Sequence, residues 1–401
     1  MKKFYILCLM AMASSLAMAN DLVTTATKLE KNKVVEEASD TAKWTFPGCS
    51  VGLNLNQMYF NDYSTEGEGV SVAMDAFLNL NAVYTRNKVM WENNLAAKYG
   101  MIYSNQFLDP YFLRKNLDEL YLNTKYGYKV SKAWYVSAFA NLETQFTNGY
   151  EYPEDELEAE TADRDTISQF FAPATIKISL GMEYIPNKYF SAFISPVTAR
   201  LTVCRNDKLG GNYGMEFIDE DIIMMTNRKG NPVVKHVKHY EKFRAEVGAY
   251  FKLKSDFDVT KSLHLFSTLE GFYSYNKAVQ TYTSTFIDSM TAVQNRMYRD
   301  NEMFDPEAIS YNKEDLKDVH GWYLKWKLEL LMKVSKYVNI SFKTQLKYDN
   351  AETKLVKSDH KKVIMDNDEE CILRKYENGG LKMPGLQFWE STSIGVAYTF
   401  K

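Results

Sequence analysis

Residues 70–84 read VSVAMDAFLNLNAVY, and this stretch decides the fold class. Apolar side chains occupy the even positions throughout, whereas Ser71, Asp75 and Asn79 occupy odd positions. Alternation with a period of two is typical of a β-strand whose two faces meet different surroundings, and an α-helix does not produce it. The stretch therefore predicts a strand with one apolar and one polar face.

Eleven further segments alternate in the same way. The twelve predicted strands lie near 50–60, 70–84, 89–103, 117–130, 134–146, 171–184, 189–203, 241–254, 262–275, 321–334, 337–349 and 388–400. Connections after even-numbered strands are short, and those after odd-numbered strands are long. Bacterial outer-membrane barrels join short periplasmic turns to long external loops in this way. We therefore expect an all-β fold, a single closed antiparallel transmembrane β-barrel of about twelve strands over 44–401.

The N-terminal residues have the features of an export signal. Lys2 and Lys3 precede an apolar run over 4–12, and the small residues Ala17-Met18-Ala19 follow. This order is typical of a secretory signal peptide. The sequence predicts a signal peptide over 1–19, a periplasmic tail over 20–43, and a location in the outer membrane of a Gram-negative cell.

Charge and cysteine usage exclude some function classes. The formal net charge is −3, which gives no basis for a nucleic-acid partner. Beyond the signal peptide three cysteines remain, an odd number that implies no disulfide framework. Cys204 and Cys371 fall in two long loops on the same predicted side, so a bridge between them stays open. The aromatic share of 14% fits the aromatic girdles of a barrel.

The last strand has a recognisable end. Ile394, Val396, Tyr398 and Phe400 share one face of the segment that completes the predicted barrel. An aromatic residue beside the terminus resembles the signal that the barrel-assembly machinery recognises. We expect that machinery and outer-membrane lipid as partners, while the sequence leaves the oligomeric state open.

Several stretches resemble a family of outer-membrane barrels known only as domain of unknown function 3078. The resemblance is carried by Trp44-Thr45-Phe46, Thr124-Lys125-Tyr126-Gly127-Tyr128-Lys129 with Trp134-Tyr135, Gly149-Tyr150-Glu151-Tyr152-Pro153, Phe171-Ala172-Pro173-Ala174 and Ile194-Ser195-Pro196-Val197. It implies the barrel and its location. It implies no chemistry, because that family has no assigned activity.

The polar faces of the strands carry the residues on which a function could depend. Eight acidic and eleven basic residues have the inward parity, an excess of three positive charges. The predicted lumen-lining charges are Asp75, Glu92, Lys98, Glu119, Lys125, Glu143, Lys177, Glu183, Arg200, Lys242, Arg244, Glu246, Lys252, Glu270, Lys325, Lys327, Glu329, Lys343 and Lys347. Charged rings set selectivity in pores, so a narrow, porin-like passive channel for small solutes with a slight anion preference is one interpretation. A plugged lumen in a structural or surface-binding barrel is the other, because about twelve strands lie between filled and open barrels.

The hypotheses of an enzyme and of a metal site have weaker support than these two interpretations. His320 occupies the rim position expected of an outer-membrane phospholipase base, but no serine lies two residues away. The acidic loop Glu151 to Asp165 offers carboxylates for divalent cations, although such loops are commonly just solvated. We expect no catalytic residue, no metal site and no cofactor, with a lipid hydrolase as the least favoured alternative. The long loops around 204–240, 276–320 and 350–387 are candidates for partner contact.

Overall fold

The computed structural model describes residues 41–47, 49–60, 69–105, 107, 111–152, 165–226, 232–260, 262–300, 311–334, 338–355, 357–366, 369–376 and 382–400. Most of this part of the chain is β-strand, joined by two 3-10 helices and one α-helix. The prediction of an all-β fold is confirmed.

Twelve long strands dominate the structure. They are β2 (Cys49–Phe60), β3 (Gly69–Arg86), β4 (Val89–Ser104), β5 (Leu113–Lys129), β6 (Trp134–Thr144), β9 (Ala174–Asn187), β10 (Phe190–Val203), β13 (Phe243–Asp258), β14 (Leu263–Tyr282), β15 (Leu316–Lys333), β16 (Val338–Asp349) and β21 (Gln387–Phe400). Each coincides with one strand predicted from the sequence.

The shorter elements lie mainly in the long connections. They are β1 (Lys43–Thr45), β7 (Gly149–Glu151), β8 (Asp165–Ser168), β11 (Phe217–Thr226), β12 (Pro232–Tyr240), β17 (Thr353–Leu355), β18 (Lys357–Asp366), β19 (Glu369–Tyr376), β20 (Lys382–Pro384), α1 (Ser284–Asp300) and the 3-10 helices η1 (Asp207–Tyr213) and η2 (Lys313–Asp315).

The long strands pair antiparallel in a single sheet. Pairing runs in the order β3, β2, β21, β16, β15, β14, β13, β10, β9, β6, β5, β4, and β4 is in turn paired with β3. β3 is hydrogen-bonded to β2 over residues 69–79 and to β4 over residues 71–86. Each of the twelve strands therefore has a hydrogen-bonded neighbour on both sides.

Burial along β3 follows the alternation that predicted it. Asp75, Asn79 and Asn81 are buried, whereas Met74 and Leu80 on the other parity are exposed. We call the face that carries Asp75 the inner face and the opposite one the outer face. The inner face also buries apolar groups, so its buried side chains are not uniformly polar: Ala73, Phe77 and Val83 pack there.

The two ends of the sheet differ in their connections. At the short-turn end, β3 and β4 are joined by Asn87 and Lys88, and β9 and β10 by Lys188 and Tyr189. At the long-loop end the connections contain their own hairpins, β11 with β12 and β18 with β19, and the helix α1. The sequence treated these stretches as loops, and β14 and β15 each extend further into them than predicted.

Pro173 and Pro196 lie where a hydrogen-bonded sheet tolerates proline. Pro196 sits at an irregularity of β10, where the pairing shifts with both neighbouring strands. Pro173 follows a cis peptide bond and immediately precedes β9 at the long-loop end. Pro196 therefore lies at a bulge, and Pro173 lies at the rim.

A buried apolar cluster caps the long-loop end. It joins Cys204, Leu209, Met215, Phe217, Tyr240 and Tyr311, with Ala172, and Tyr213, Tyr282, Phe286 and Leu316 pack against it. The hydroxyls of Tyr240 and Tyr311 lie 2.5 Å apart. The connections at this end therefore pack together rather than projecting separately. Among the described residues, no helix combines the length and the apolar character that crossing a bilayer would require.

Candidate functional site

The predicted lumen-lining charges meet on the inner face, where cross-strand register places opposite charges side by side. Lys98 faces Glu119, and Lys125 faces Glu92, in directly opposed positions. Glu329 faces Lys343 in the same way. Opposite charges in such positions attract across the strands. Much of the charge is therefore arranged as pairs.

At the short-turn end, Lys125 is the centre of a three-residue ion pair. Its ammonium lies 2.9 Å from Glu92 Oε2 and 3.0 Å from Glu183 Oε1. Ser137 Oγ also donates to Glu183 Oε2 at 3.4 Å. Because the carboxylates come from β4 and β9 on opposite sides of β5, the lysine ties three strands together.

A cavity of about 60 Å³ opens beside this ion pair. It is lined by Glu92, Asn94, Asn123, Lys125, Phe139, Glu183, Ser191, Phe193, Tyr250, Lys252 and Lys254. The cavity is large enough to hold water, since one water needs about 10–15 Å³ of such space. Asn123 Oδ1 is buried with no hydrogen-bond partner among the described residues, so a water has an acceptor there.

Next to the cavity lies a group of aromatic side chains that we call the aromatic belt: Phe139, Phe193, Tyr250, Phe272 and Tyr323. Tyr250, Phe272 and Tyr323 stand directly opposite one another on β13, β14 and β15. The rings of Phe139 and Tyr250 are parallel, with centroids 6.3 Å apart. The belt therefore reaches from β6 to β15 across the inner face.

Charged groups span the belt. Lys177 Nζ on β9 donates to the Tyr323 hydroxyl at 2.9 Å, and Tyr250 donates its hydroxyl proton to Glu270 at 2.7 Å. Lys325 Nζ on β15 lies 3.8 Å from Glu143 Oε1 on β6, five strands away in the pairing order. The Lys177–Tyr323 and Lys325–Glu143 contacts join strands that are not neighbours in the sheet, whereas Tyr250 and Glu270 lie on the paired strands β13 and β14.

A buried network lies between the aromatic belt and the long-loop end. Arg200 on β10 donates to Asp349 on β16 at 2.7 Å, four strands away. Glu246 lies between Arg200 and Arg244, at 3.7 Å and 3.1 Å. All four side chains are almost fully buried, so each charge depends on the others for solvation.

The remaining predicted charges have varied surroundings. Asp75 accepts a hydrogen bond from Asn54 Nδ2 at 2.5 Å. Lys252 faces Glu270 in the register, Lys347 pairs with Glu352, and Lys327 is half-buried opposite Thr268 and Gln345. Lys242 departs from the set, because it precedes β13 and is exposed.

Sequence reasoning missed several inner-face residues. Asp349 was not among the predicted charges because it is the last residue of the strand predicted over 337–349, although its parity is that of Lys343 and Lys347. The aromatic belt was missed because aromatic residues were assigned to the rims. A signal existed, since Phe193 has the parity of Ser191 and Ser195. A large aromatic residue on the polar parity indicates a filled interior.

Two histidines of the long strands, His264 and His320, are held by polar contacts. His320 Nδ1 donates to the carbonyl oxygen of Ser274 at 3.0 Å, and its ring stacks on Tyr273. The Ser274 hydroxyl is engaged with Asn276. His264 lies 2.9 Å from Asp256 and 3.0 Å from Asp258 at the short-turn end. Among the residues that the structure describes, neither histidine contacts a nucleophile, so these contacts give the hydrolase alternative no support.

Some predictions fall outside the described residues. The signal peptide over 1–19, most of the tail and residues 153–164 of the acidic loop are among them, as are the side chains of His236, His360, Cys371 and Phe400. Cys204 is a buried free thiol that donates to the Asn206 carbonyl oxygen at 3.1 Å. Within the described part of the chain, no cluster of three or more histidine, cysteine or acidic side chains is arranged to hold a metal.

The comparison with protein families bears on the first half of the chain. The family model described as protein of unknown function (DUF3078) matches residues 55–150. The resemblance predicted from the sequence is confirmed there, over about a quarter of the chain. The stretches at 124–129 and 134–135 lie inside the match, whereas those at 44–46, 171–174 and 194–197 lie outside it.

Solved structures similar to this chain have little sequence in common with it. The translocator domain of autotransporter NalP from Neisseria meningitidis is 8% identical, with a TM-score of 0.35 and 94% of each chain covered. A FadL homologue of Pseudomonas aeruginosa is 9% identical, with a TM-score of 0.28 over 91% of this chain and 77% of the other. The outer membrane channel DcaP of Acinetobacter baumannii is 8% identical, with a TM-score of 0.26 over 91% and 99%.

No curated protein matches the chain. Because the TM-scores are below 0.5, the similarity to these structures carries no information about function, and the function is inferred from the residues of this chain.

Proposed function

We propose that the protein is an integral outer-membrane β-barrel of twelve strands whose lumen is filled by its own side chains, so that it acts as a structural or surface-binding wall. The strand pairing supports closure, because each long strand has two hydrogen-bonded neighbours. A spanning sheet needs this arrangement, since every backbone group at bilayer depth must be paired.

The outer face supports contact with hydrocarbon. Ile178 and Leu180 on β9 are 59% and 60% exposed, and Ile194 and Val197 on β10 are both 59% exposed. Soluble monomeric proteins rarely expose contiguous apolar surface of this kind to water. Aromatic pairs stand near both ends of the strands, with Trp134 against Tyr184 at the short-turn end and Trp322 against Tyr348 at the other. Such girdles suit the two membrane interfaces.

The contacts across the inner face carry the proposal of a filled lumen. Lys325 meets Glu143 five strands away, and Arg200 meets Asp349 four strands away. In a ring of twelve strands, such pairs reach across the lumen rather than along its wall. The aromatic belt adds apolar bulk at the same place, so little room is left for a hydrated solute.

Ion conductance tests the filled lumen. Wild-type protein in planar bilayers should give no stepwise conductance. The triple variant Tyr250→Ala, Phe272→Ala and Tyr323→Ala should give discrete steps, because it removes the centre of the aromatic belt. Tyr273→Ala, which changes the exposed neighbour of Phe272 on the outer face, is the matched control and should remain silent.

A narrow passive channel is the second candidate, and partial exposure of inner-face acids favours it. The side chains of Glu119 and Glu143 remain 47% and 44% exposed, so solvent reaches the inner face. The basic excess would favour anions slightly. If the wild type already shows stepwise conductance, and the triple variant of the aromatic belt shows the same steps, the protein is a channel and the filled lumen is wrong.

Membrane insertion is tested separately from the lumen. Leu180→Lys places a charge at mid-strand on the outer face. It should destabilise the protein folded in vesicles, reducing its free energy of unfolding by about 2–4 kcal/mol. Leu180→Phe, which keeps the site apolar, should have little effect. If the wild-type protein is folded and monomeric in the absence of detergent, the membrane assignment is wrong. The proposal also includes recognition of the last strand, which ends at Phe400, by the barrel-assembly machinery.

The lipid hydrolase is tested by lipid release. Purified protein and the His320→Ala variant should release equally little fatty acid from vesicles, because His320 is held by a backbone carbonyl. Release that depends on His320 would revive that alternative.

A further inference from the structure

The segment 204–216, which we call the lid segment, lies between β10 and β11 and crosses the long-loop end. Arg205 N donates to Phe171 O at 3.0 Å, and the Tyr213 hydroxyl donates to Ile167 O at 2.6 Å, both before β9. On the other side, Thr353 Oγ1 donates to Gly211 O at 3.3 Å, just after β16. β9 and β16 are five strands apart in the pairing order, so the segment bridges distant sides of the sheet.

One buried arginine holds the underside of this segment. Arg244 Nη1 donates to the carbonyl oxygens of Tyr213 and of Gly214, the latter at 3.2 Å. Its Nε donates to Glu246 at 3.1 Å, so the guanidinium keeps a carboxylate partner. Hydrogen bonds from a charged donor are about twice as strong as neutral ones. These two carbonyls lie at the C-terminal end of η1, where intrahelical partners are lacking.

Gly214 is shaped for this contact. Its φ is +67°, in the left-handed region that favours glycine. A Cβ at this position would lie 2.7 Å from Arg244 Nη1 and 3.0 Å from Ala351 O. The close approach of the segment to Arg244 therefore depends on the absence of a side chain.

The other side chains of the segment close over the apolar cluster. Leu209 and Met215 are buried within it, and the thiol of Cys204, at the start of the segment, is fully buried in the same cluster. Displacing the segment would expose that thiol. Cys204 therefore reports on the position of the segment through its reactivity.

We infer that residues 204–216 form a lid over the long-loop end of the barrel and that Arg244 is the latch that holds it shut. The inference rests on the proposed barrel, because the lid has meaning only where the strands enclose a lumen. It adds a movable closure to the fixed filling by the aromatic belt. Loss of the latch opens the outer end of the lumen and leaves the belt in place.

Peptide-resolved labelling of the full-length protein by N-ethylmaleimide tests the lid. Arg244→Ala should raise the labelling rate of Cys204 about tenfold or more, the effect of losing a charged hydrogen bond. Arg114→Ala is the matched control, because Arg114 stacks on Phe107 and Tyr152 at the same end without contacting the segment. That control should leave the rate unchanged, and Cys49 provides an internal reference.

A second variant approaches the latch from the lid. Gly214→Val changes a position outside every strand and should also accelerate labelling of Cys204, which keeps the test valid if Arg244→Ala does not fold. Unchanged labelling in the folded variants would overturn the lid. If labelling rises while conductance stays silent, lid and filled lumen both stand. If opening the lid alone produces conductance steps, the lid stands and the filled lumen fails.

Discussion

Buried charges are paired differently at the two ends of the sheet. At the short-turn end, Lys125 pairs with carboxylates on strands at most two positions away, and a small cavity remains beside it. Towards the long-loop end, Arg200 and Arg244 bind partners on distant strands and on a connecting segment. The first arrangement stiffens a wall, and the second joins opposite walls and a cap.

In the proposed barrel, this difference indicates where the lumen would be closed. Pairs between neighbouring strands can form in an open pore, because they need nothing from the opposite side. Pairs between distant strands form only where side chains meet in the middle. The aromatic belt and the Arg200 network are therefore the elements on which the proposal of a filled lumen depends.

The largest expected effect concerns the cross-lumen pair. Asp349→Ala leaves Arg200 buried without its closest partner and should lower the free energy of unfolding by about 3–5 kcal/mol. Glu92→Gln at the short-turn end should cost less, about 1 kcal/mol, because Lys125 keeps Glu183. Urea unfolding in lipid vesicles measures both. Equal losses would remove the distinction between the ends.

Thiol chemistry gives the next largest effect. Burial raises the pKa of the Cys204 thiol to about 11. The thiolate is the reactive form, so a shift of about two units makes native Cys204 about 100-fold less reactive near pH 8 than in unfolded protein. Its labelling rate should continue to rise with pH until about 11. A plateau near pH 9 would show that the thiol beneath the lid is solvated.

The smallest expected effect compares one hydrogen bond at each end. Tyr311→Phe removes the contact with the Tyr240 hydroxyl inside the capping cluster and should cost about 1 kcal/mol of unfolding free energy. Trp91→Phe removes an exposed bond to Thr124 and should cost about 0.5 kcal/mol or less. If Trp91→Phe lowers the free energy of unfolding more than Tyr311→Phe does, the short-turn end is the more tightly packed of the two.

Alternation along the chain predicted much of the fold. All twelve long strands begin and end within a few residues of their predicted positions, except where β14 and β15 continue into the long connection between them. The continuation was missed because Tyr282 and Leu316 belong to stretches without clear alternation. The hairpins of the long connections were missed for the same reason, since their strands pair outside the main sheet.

The sequence by itself determined the strands, the face on which each side chain lies, and most of the charged residues on the inner face. A period of two fixes these properties locally, because successive side chains point to opposite faces. Only the tertiary structure decided which charges meet, that the aromatic belt fills the inner face, and that Arg244 holds the segment 204–216. Those contacts join residues far apart in the chain, and their geometry depends on strand register, tilt and curvature, which local alternation does not specify.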